Sequence, residues 1–196
     1  MSPVTHGLLS WVLAHTPGVA PAIDRRGRAA ITIAGLAPDL DGFGYPFQLL
    51  TRNNAEPLDW FTRFHHHLAH NLLATIVIAA LACAWARGSW RVAVLALIAA
   101  NLHMVCDLIG ARGPDGNQWP IPYWQPFSDV GWVWTGQWRL DSWQNLVITL
   151  SALALSVAIA LRHSRTPVEI ASMRADHGVV ATIRRWFRRT PVDGQA

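Results

Sequence analysis

The stretch Leu146–Leu161, LVITLSALALSVAIAL, runs for sixteen residues without a charged side chain and with only Thr and Ser breaking its apolar character. Such a run must be sealed in a protein core or in lipid, because water is a poor solvent for its side chains, and once sealed its backbone must pair its own polar groups. With Trp143 at an interfacial position, it approaches the roughly 20 residues needed to cross a bilayer. Two further segments behave alike. Leu68–Ala86 carries one His and one Asn at its start and is then apolar to Arg87; Trp90–Ile109 is apolar until Asn101, His103 and Asp107 enter its last third. Each run is too long for an ordinary strand, so helix is expected. The tight link RGSW between the last two makes them an antiparallel hairpin. Charged residues make up only 14% of the chain, against roughly 25% in a soluble domain, which fits a surface that largely faces lipid.

The rest of the chain is organised around these segments. Gly7–Val19 and Ala29–Ala37 are apolar but short, reaching about 14–20 Å as helices, and are separated by DRRGR at 24–28. Residues 111–142 hold Pro114, Pro120, Pro122 and Pro126 with Trp119, Trp124, Trp132, Trp134 and Trp138, the composition of a structured loop at a membrane–water interface. The polar segment after Arg162 ends in IRRWFRR at 183–189, a basic, partly amphipathic surface anchor or a solvated tail. The fold class expected is all-α: a polytopic membrane helical bundle with a short N-terminal helical pair and a Trp/Pro-rich interfacial loop. Residues 1–162 form the membrane-embedded domain and 163–196 a basic tail. The opening MSPVTHGLLSW lacks the basic region and cleavage site of a removed signal peptide. Cys83 and Cys106 lie inside apolar segments and read as small buried hydrophobes, with no disulfide framework.

All sixteen basic residues are Arg, and their positions carry topological information. Arg25, Arg26, Arg28, Arg87, Arg91 and the seven from Arg162 to Arg189 fall on one side of the bundle; Arg52, Arg63, Arg112 and Arg139 fall on the other. On the positive-inside rule the first group marks the cytoplasm. The expectation is a multi-pass membrane protein with a cytoplasmic C-terminus. The net charge of +4 follows that pattern; a nucleic-acid role for the tail is the weakest reading, and no nucleic-acid partner is expected. The same topology collects His6, Asp39, Asp41, the histidines of 65–70, His103 and Asp107 at the non-cytoplasmic end.

These residue types suit a metal. PDLD at 38–41 sets two carboxylates beside hydrocarbon, where they are costly unless paired or bound to a cation. His103 and Asp107, four apart on a helix, stack on one face and can share an ion. RFHHHLAHN at 63–71 places His66 and His70 at i,i+4 and His67 and His70 at i,i+3 if the helix begins there. Two ligands and two bystanders are expected from this block. Imidazole and carboxylate without thiolate suit zinc, with manganese or iron also compatible. Seven candidate ligands allow a two-ion site, which could activate water toward a phosphoester. His15, His163 and His177 lie outside the cluster.

The order TH, LAPDLD, a His-x4-His block, HMVCD and a G…WP…PFS loop resembles the YdjM-type family, bacterial inner-membrane proteins described as metal-dependent hydrolases. That family looks distantly similar to the zinc-dependent phospholipase C and single-strand nuclease superfamily, whose all-α fold carries a His/Asp zinc cluster. The match covers roughly residues 1–130. The resemblance implies metal ligands at His6, Asp39, Asp41, His65, His70, His103 and Asp107. The family block HRGxTHS falls on HHHLAHN, where His66 and His67 replace Arg-Gly, Ala69 replaces Thr and Asn71 replaces Ser. His66 therefore stands as the alternative to His65. The further His and His-x3-Glu ligands of the soluble phospholipases have no counterpart after Asp107. The function expected is a membrane-bound metal-dependent hydrolase with one or two ions, probed by Asp39 or Asp41 as bridging or proton-accepting carboxylate. Its partners would be the lipid bilayer and a lipid or other phosphoester substrate; the alternative is a non-enzymatic metal-binding or scaffold protein.

Overall fold

The computed structural model describes residues 1–18, 20–113 and 116–188. Val19, Pro114 and Arg189, which close or belong to segments singled out above, lie outside the described residues, as does the rest of the tail beyond 188. The chain is helical: α1 (Pro3–Leu13), α2 (Arg25–Leu36), α3 (Tyr45–Thr51), α4 (Trp60–Phe64), α5 (Leu72–Trp85), α6 (Trp90–Gly110), α7 (Trp143–His163) and α8 (Met173–Arg188). Among the described residues the only β pairing is two isolated bridges, Arg112 with Arg139 and Ile121 with Trp132. The all-α expectation holds.

Local chemistry sets the helix starts. Ser2 accepts from the Thr5 N–H, Asp24 from Gly27 and Asn71 from Ala74, so each side chain satisfies a first-turn donor that no carbonyl can reach. The α5–α6 link turns through Arg87 and Gly88 with φ of 59° and 82°, a left-handed pair in which Gly88 carries no penalty. Helices α6 and α7, with mean hydropathies of 2.1 and 1.9, are long and apolar enough to cross a membrane. Helix α5 is shorter than the segment Leu68–Ala86 suggested. Its 14 residues span about 21 Å, below the roughly 30 Å hydrocarbon thickness. The reason is Asn71: its cap starts the helix at Leu72, and Leu68 to Asn71 join a turn instead. The histidine block is thus a folded turn with His66 at φ 66°, not the first turn of a helix, and the i,i+4 argument for His66 and His70 does not apply.

The core lies where α2 meets α6 and α5. Ala30, Ile31 and Ala34 of α2 pack with Ala79 and Ala82 of α5 and with Leu95, Ala96 and Ala99 of α6. Small side chains let these backbones approach closely, the usual basis of helix association in lipid. Gly35 shows how close: a Cβ there would lie 1.8 Å from Ser10 Oγ and 3.5 Å from the Ala99 Cβ. Helix α7 packs on α1, where Thr5 and Thr149 share a 2.7 Å hydrogen bond, and leaves Leu146, Val147, Leu150 and Leu153 exposed as a lipid-facing row.

The loop between α6 and α7 is ordered by its own polar groups. Asn145 Nδ2 donates to Gly110 O at 2.8 Å, and Trp138 Nε1 donates to Asn145 Oδ1 at 2.8 Å. Ile121 and Trp132 exchange backbone hydrogen bonds, and Tyr123 Oη donates to Asn101 Oδ1 at 2.8 Å. The chain after Arg162 folds back on the bundle. Glu169, fully buried, receives Arg28 Nε at 2.6 Å and Nη2 at 2.8 Å, while Thr166 N–H donates to buried Asp176 at 2.8 Å. Helix α8 follows, a more regular element than the polar composition of the tail suggested.

The Arg28–Glu169 pair gives a stability prediction. Burial raises the Glu169 carboxyl, but the Arg28 guanidinium outweighs burial and holds it below its usual 4.5. A depressed carboxyl stabilises the fold above its unfolded pKa, and that contribution is lost as pH falls through the folded value. Glu169→Ala, which strands a buried guanidinium, should cost about 3–5 kcal/mol, read as a lower Tm in detergent. The gap between wild type and variant should narrow as pH drops below about 4.

Candidate metal centre

Four side chains from three parts of the chain converge: Asp39, His70, His103 and Asp107, each offering one ligand atom, with these atoms all within 4.8 Å of one another. Asp39 comes from the 3₁₀ segment Ala37–Gly44 that follows α2, His70 from the turn before α5, and His103 and Asp107 from α6. His70, His103 and Asp107 are buried, and the Asp39 side chain is 21% exposed. The i,i+4 spacing of His103 and Asp107 brings Nε2 within 3.1 Å of Oδ2.

The two imidazoles are aimed from behind. His103 Nδ1 lies 2.8 Å from the Gly35 carbonyl; a carbonyl only accepts, so Nδ1 carries a proton, and in the neutral ring Nε2 is left with a lone pair for a metal. His70 Nδ1 donates to Asp41 Oδ2 at 3.0 Å, with the same result. The two Nε2 atoms then face each other at 3.3 Å. His70 Nε2 is 3.6 Å from Asp107 Oδ2, and His103 Nε2 is 3.5 Å from Asp39 Oδ1. Two carboxylates beside two imidazoles call for positive charge, which a bound cation would supply to the neutral rings. Ligands bonded at about 2.0–2.1 Å around a tetrahedral zinc sit about 3.3 Å apart, and the observed separations bracket that value. The donor types and these four separations therefore suit a divalent ion such as zinc.

Asp41 and His65 lie outside this group of four. Asp41 accepts from His65 Nδ1 at 2.8 Å, from His70 Nδ1 and from the Ala69 N–H at 3.2 Å. Burial pushes its carboxyl up, but these donors overcome burial and hold it well below the usual range. Its oxygens are spent on orienting His70, the role carboxylates commonly play behind a metal-bound histidine. His65 in turn stacks on Phe61 with ring centroids 4.4 Å apart. His6 adjoins the group: it stacks on His103 at 3.7 Å, and its Nε2 is 3.2 Å from Asp107 Oδ1. The Met1 ammonium also contacts that oxygen. His66 is buried 4.2 Å from the His70 ring with Nδ1 unpartnered among the described residues, and burial holds its imidazole well below 6.5. His67 is exposed and stands apart.

A cavity of about 390 Å³ opens over the group, with Asp39, Asp107 and His66 on its floor and Tyr45, Phe61 and Trp119 in its walls. A second, of about 350 Å³, continues past His65, His67 and Pro120. Asp39 lines this space, and its Oδ2 is buried and unpartnered among the described residues. The residues that sequence reasoning missed are the orienting ones. The Gly35 carbonyl carries no side-chain signal, and Gln137, whose Nε2 donates to the Asp107 carbonyl at 2.9 Å, sits in a loop with no readable period. Trp119 was visible in the WP motif, although its packing against both His65 and His66 was not.

This arrangement separates holding from aiming. Asp107→Ala should abolish metal retention measured by elemental analysis of the purified protein. Asp41→Asn, which leaves the four ligand side chains intact but weakens the hold on His70, should lower metal affinity by about 10–100-fold.

No curated protein and no solved structure matches the chain significantly. The family model described as YdjM inner membrane protein matches residues 1–176, a span that runs from Met1 through the metal cluster and both long apolar helices to Asp176. The chain belongs to the YdjM inner membrane protein family.

Proposed function

We propose that this protein is a membrane-bound metal-dependent hydrolase that cleaves a phosphoester, with a membrane lipid as the favoured substrate. One observation carries the reading: two of the four grouped ligands, Asp39 and Asp107, line an aromatic-walled cavity, and Asp39 Oδ2 has no hydrogen-bond partner among the described residues. Zinc, manganese or iron bound there supplies Lewis acidity toward an ester oxygen and acidifies water. Asp39 Oδ2 is the candidate proton acceptor for the attacking water, because both oxygens of Asp41 are already committed to His65, His70 and Ala69. The aromatic walls exclude bulk water and strengthen the field of the carboxylates. His6, beside Asp107, would be the residue to help hold a second ion, which would supply the same chemistry.

The rim supports a lipid. Tyr45 of the cavity wall, its chain neighbours Phe43, Phe47 and Leu50, and Trp124 and Phe127 of the α6–α7 loop are large apolar side chains left exposed. Such side chains are stable beside acyl chains and costly in water. With the positive-inside pattern of the arginines, the site faces the non-cytoplasmic side of the inner membrane, and the chain crosses it several times.

A second reading has its own observation. Four protein ligands can close a tetrahedral ion completely, as structural zinc sites do, which would make the group a metal-binding or scaffold element. Hydrolysis decides between them. Purified protein loaded with zinc or manganese should release product from phospholipid vesicles, and Asp39→Asn should lower the rate by about 10²–10⁴-fold with the metal still bound. Full metal occupancy without turnover of either vesicles or a soluble phosphodiester would favour the closed site.

A further inference from the structure

A third cavity, of about 500 Å³, lies away from the metal cluster, lined by His15, Arg28, Arg162, His163 and Arg165 together with Pro and Ile side chains. It sits where α1 and α7 end and α2 begins. Nine residues of rise separate His15 from His6, about 14 Å along α1, so the cavity is distinct from the hydrolytic site. We propose that it binds a phosphate-bearing anion with an adjoining hydroxyl: a phosphoglycerol-type lipid headgroup or a free phosphate.

The charge balance comes first. Three guanidinium groups line the cavity, and the one carboxylate beside them, Glu169, is shared by Arg28 through two bonds and by Arg165 through one at 3.2 Å. Arg28 is used up, since its Nη1 also donates to Ile23 O at 2.7 Å. Arg165 keeps donors in reserve, and Arg162 makes no hydrogen bond among the described residues. Two positive charges are therefore left over, in fork geometry suited to phosphate oxygens.

Helix C-termini could have absorbed that charge through their free carbonyls, but here those carbonyls are already engaged. Ser164 N–H donates to Ala160 O at 3.0 Å, and Arg184 of α8 reaches Leu161 O at 3.3 Å. At the end of α1 the His15 and Thr16 N–H groups donate to Val12 O and Leu13 O at 2.9 and 3.1 Å, and His15 Nδ1 donates to Trp11 O at 2.9 Å. The last bond leaves Nε2 of the neutral His15 ring as an acceptor, and that atom is buried and unpartnered among the described residues. Spare guanidinium donors beside a lone imidazole acceptor match a phosphate next to a hydroxyl.

The test uses the whole protein in phosphatidylcholine nanodiscs. In one arm, phosphatidylglycerol is mixed into the disc and lipid retained by the protein is counted by native mass spectrometry. In the other, inorganic phosphate and glycerol phosphate are titrated calorimetrically. A headgroup site predicts selective retention of phosphatidylglycerol, and a free-anion site predicts binding in the titration. His15→Gln/Arg162→Gln should weaken whichever binding is seen by about tenfold or more. Arg91→Gln, a change at the same end where the guanidinium lies over Trp90, should leave it unaltered. Absence of binding in both arms, no effect of the double variant, or an equal loss in Arg91→Gln would each overturn the proposal. If the double variant melts below wild type, Arg162→Gln alone carries the test, because that side chain is exposed.

Discussion

Two hydrogen bonds made on the far side of the cluster orient its imidazoles: His103 to the Gly35 carbonyl and His70 to Asp41. Each fixes a ring tautomer, and together they turn two lone pairs toward each other and toward two carboxylates. Without them the same four residues would be free to hydrogen-bond one another in pairs, and nothing would demand a cation. The Gly35 bond in turn depends on packing. Only a residue without a side chain allows α2 to press against Ser10 of α1 and Ala99 of α6, and that approach delivers the carbonyl to His103. The small-residue core and the metal centre are therefore one construction.

The two ends of the bundle solve opposite electrostatic problems. At one end carboxylates and imidazoles crowd within a few ångströms and call for positive charge. At the other, arginines gather around one buried glutamate and leave positive charge over. Both arrangements are costly near hydrocarbon unless compensated, which is why a cation is proposed at the first and an anion at the second.

The apolar segments and their helical character were legible because length and hydropathy alone decide them, and the His103–Asp107 pair was legible because helical geometry fixes i,i+4 neighbours. The histidine block was misread for a local reason. Asn71 is a better helix start than His65 to His70, and a cap outcompetes a continuation of the apolar pattern. Folding those residues into a turn brought His66 and His70 together by another route, through a left-handed residue at His66. The helices α3 and α4 gave little signal, since neither buries a residue.

By itself the sequence determined an all-helical membrane protein, the family it belongs to, and the inventory of histidines and aspartates available to a metal. Only the tertiary structure decided how that inventory is divided: Asp39, His70, His103 and Asp107 converge, whereas Asp41 and His65 stand behind His70. The physical reason is that residue type sets what an atom can bind, while the hydrogen bonds on its other side set where its lone pair points. Those partners include a backbone carbonyl sixty-eight positions away, and no spacing rule in a sequence records them.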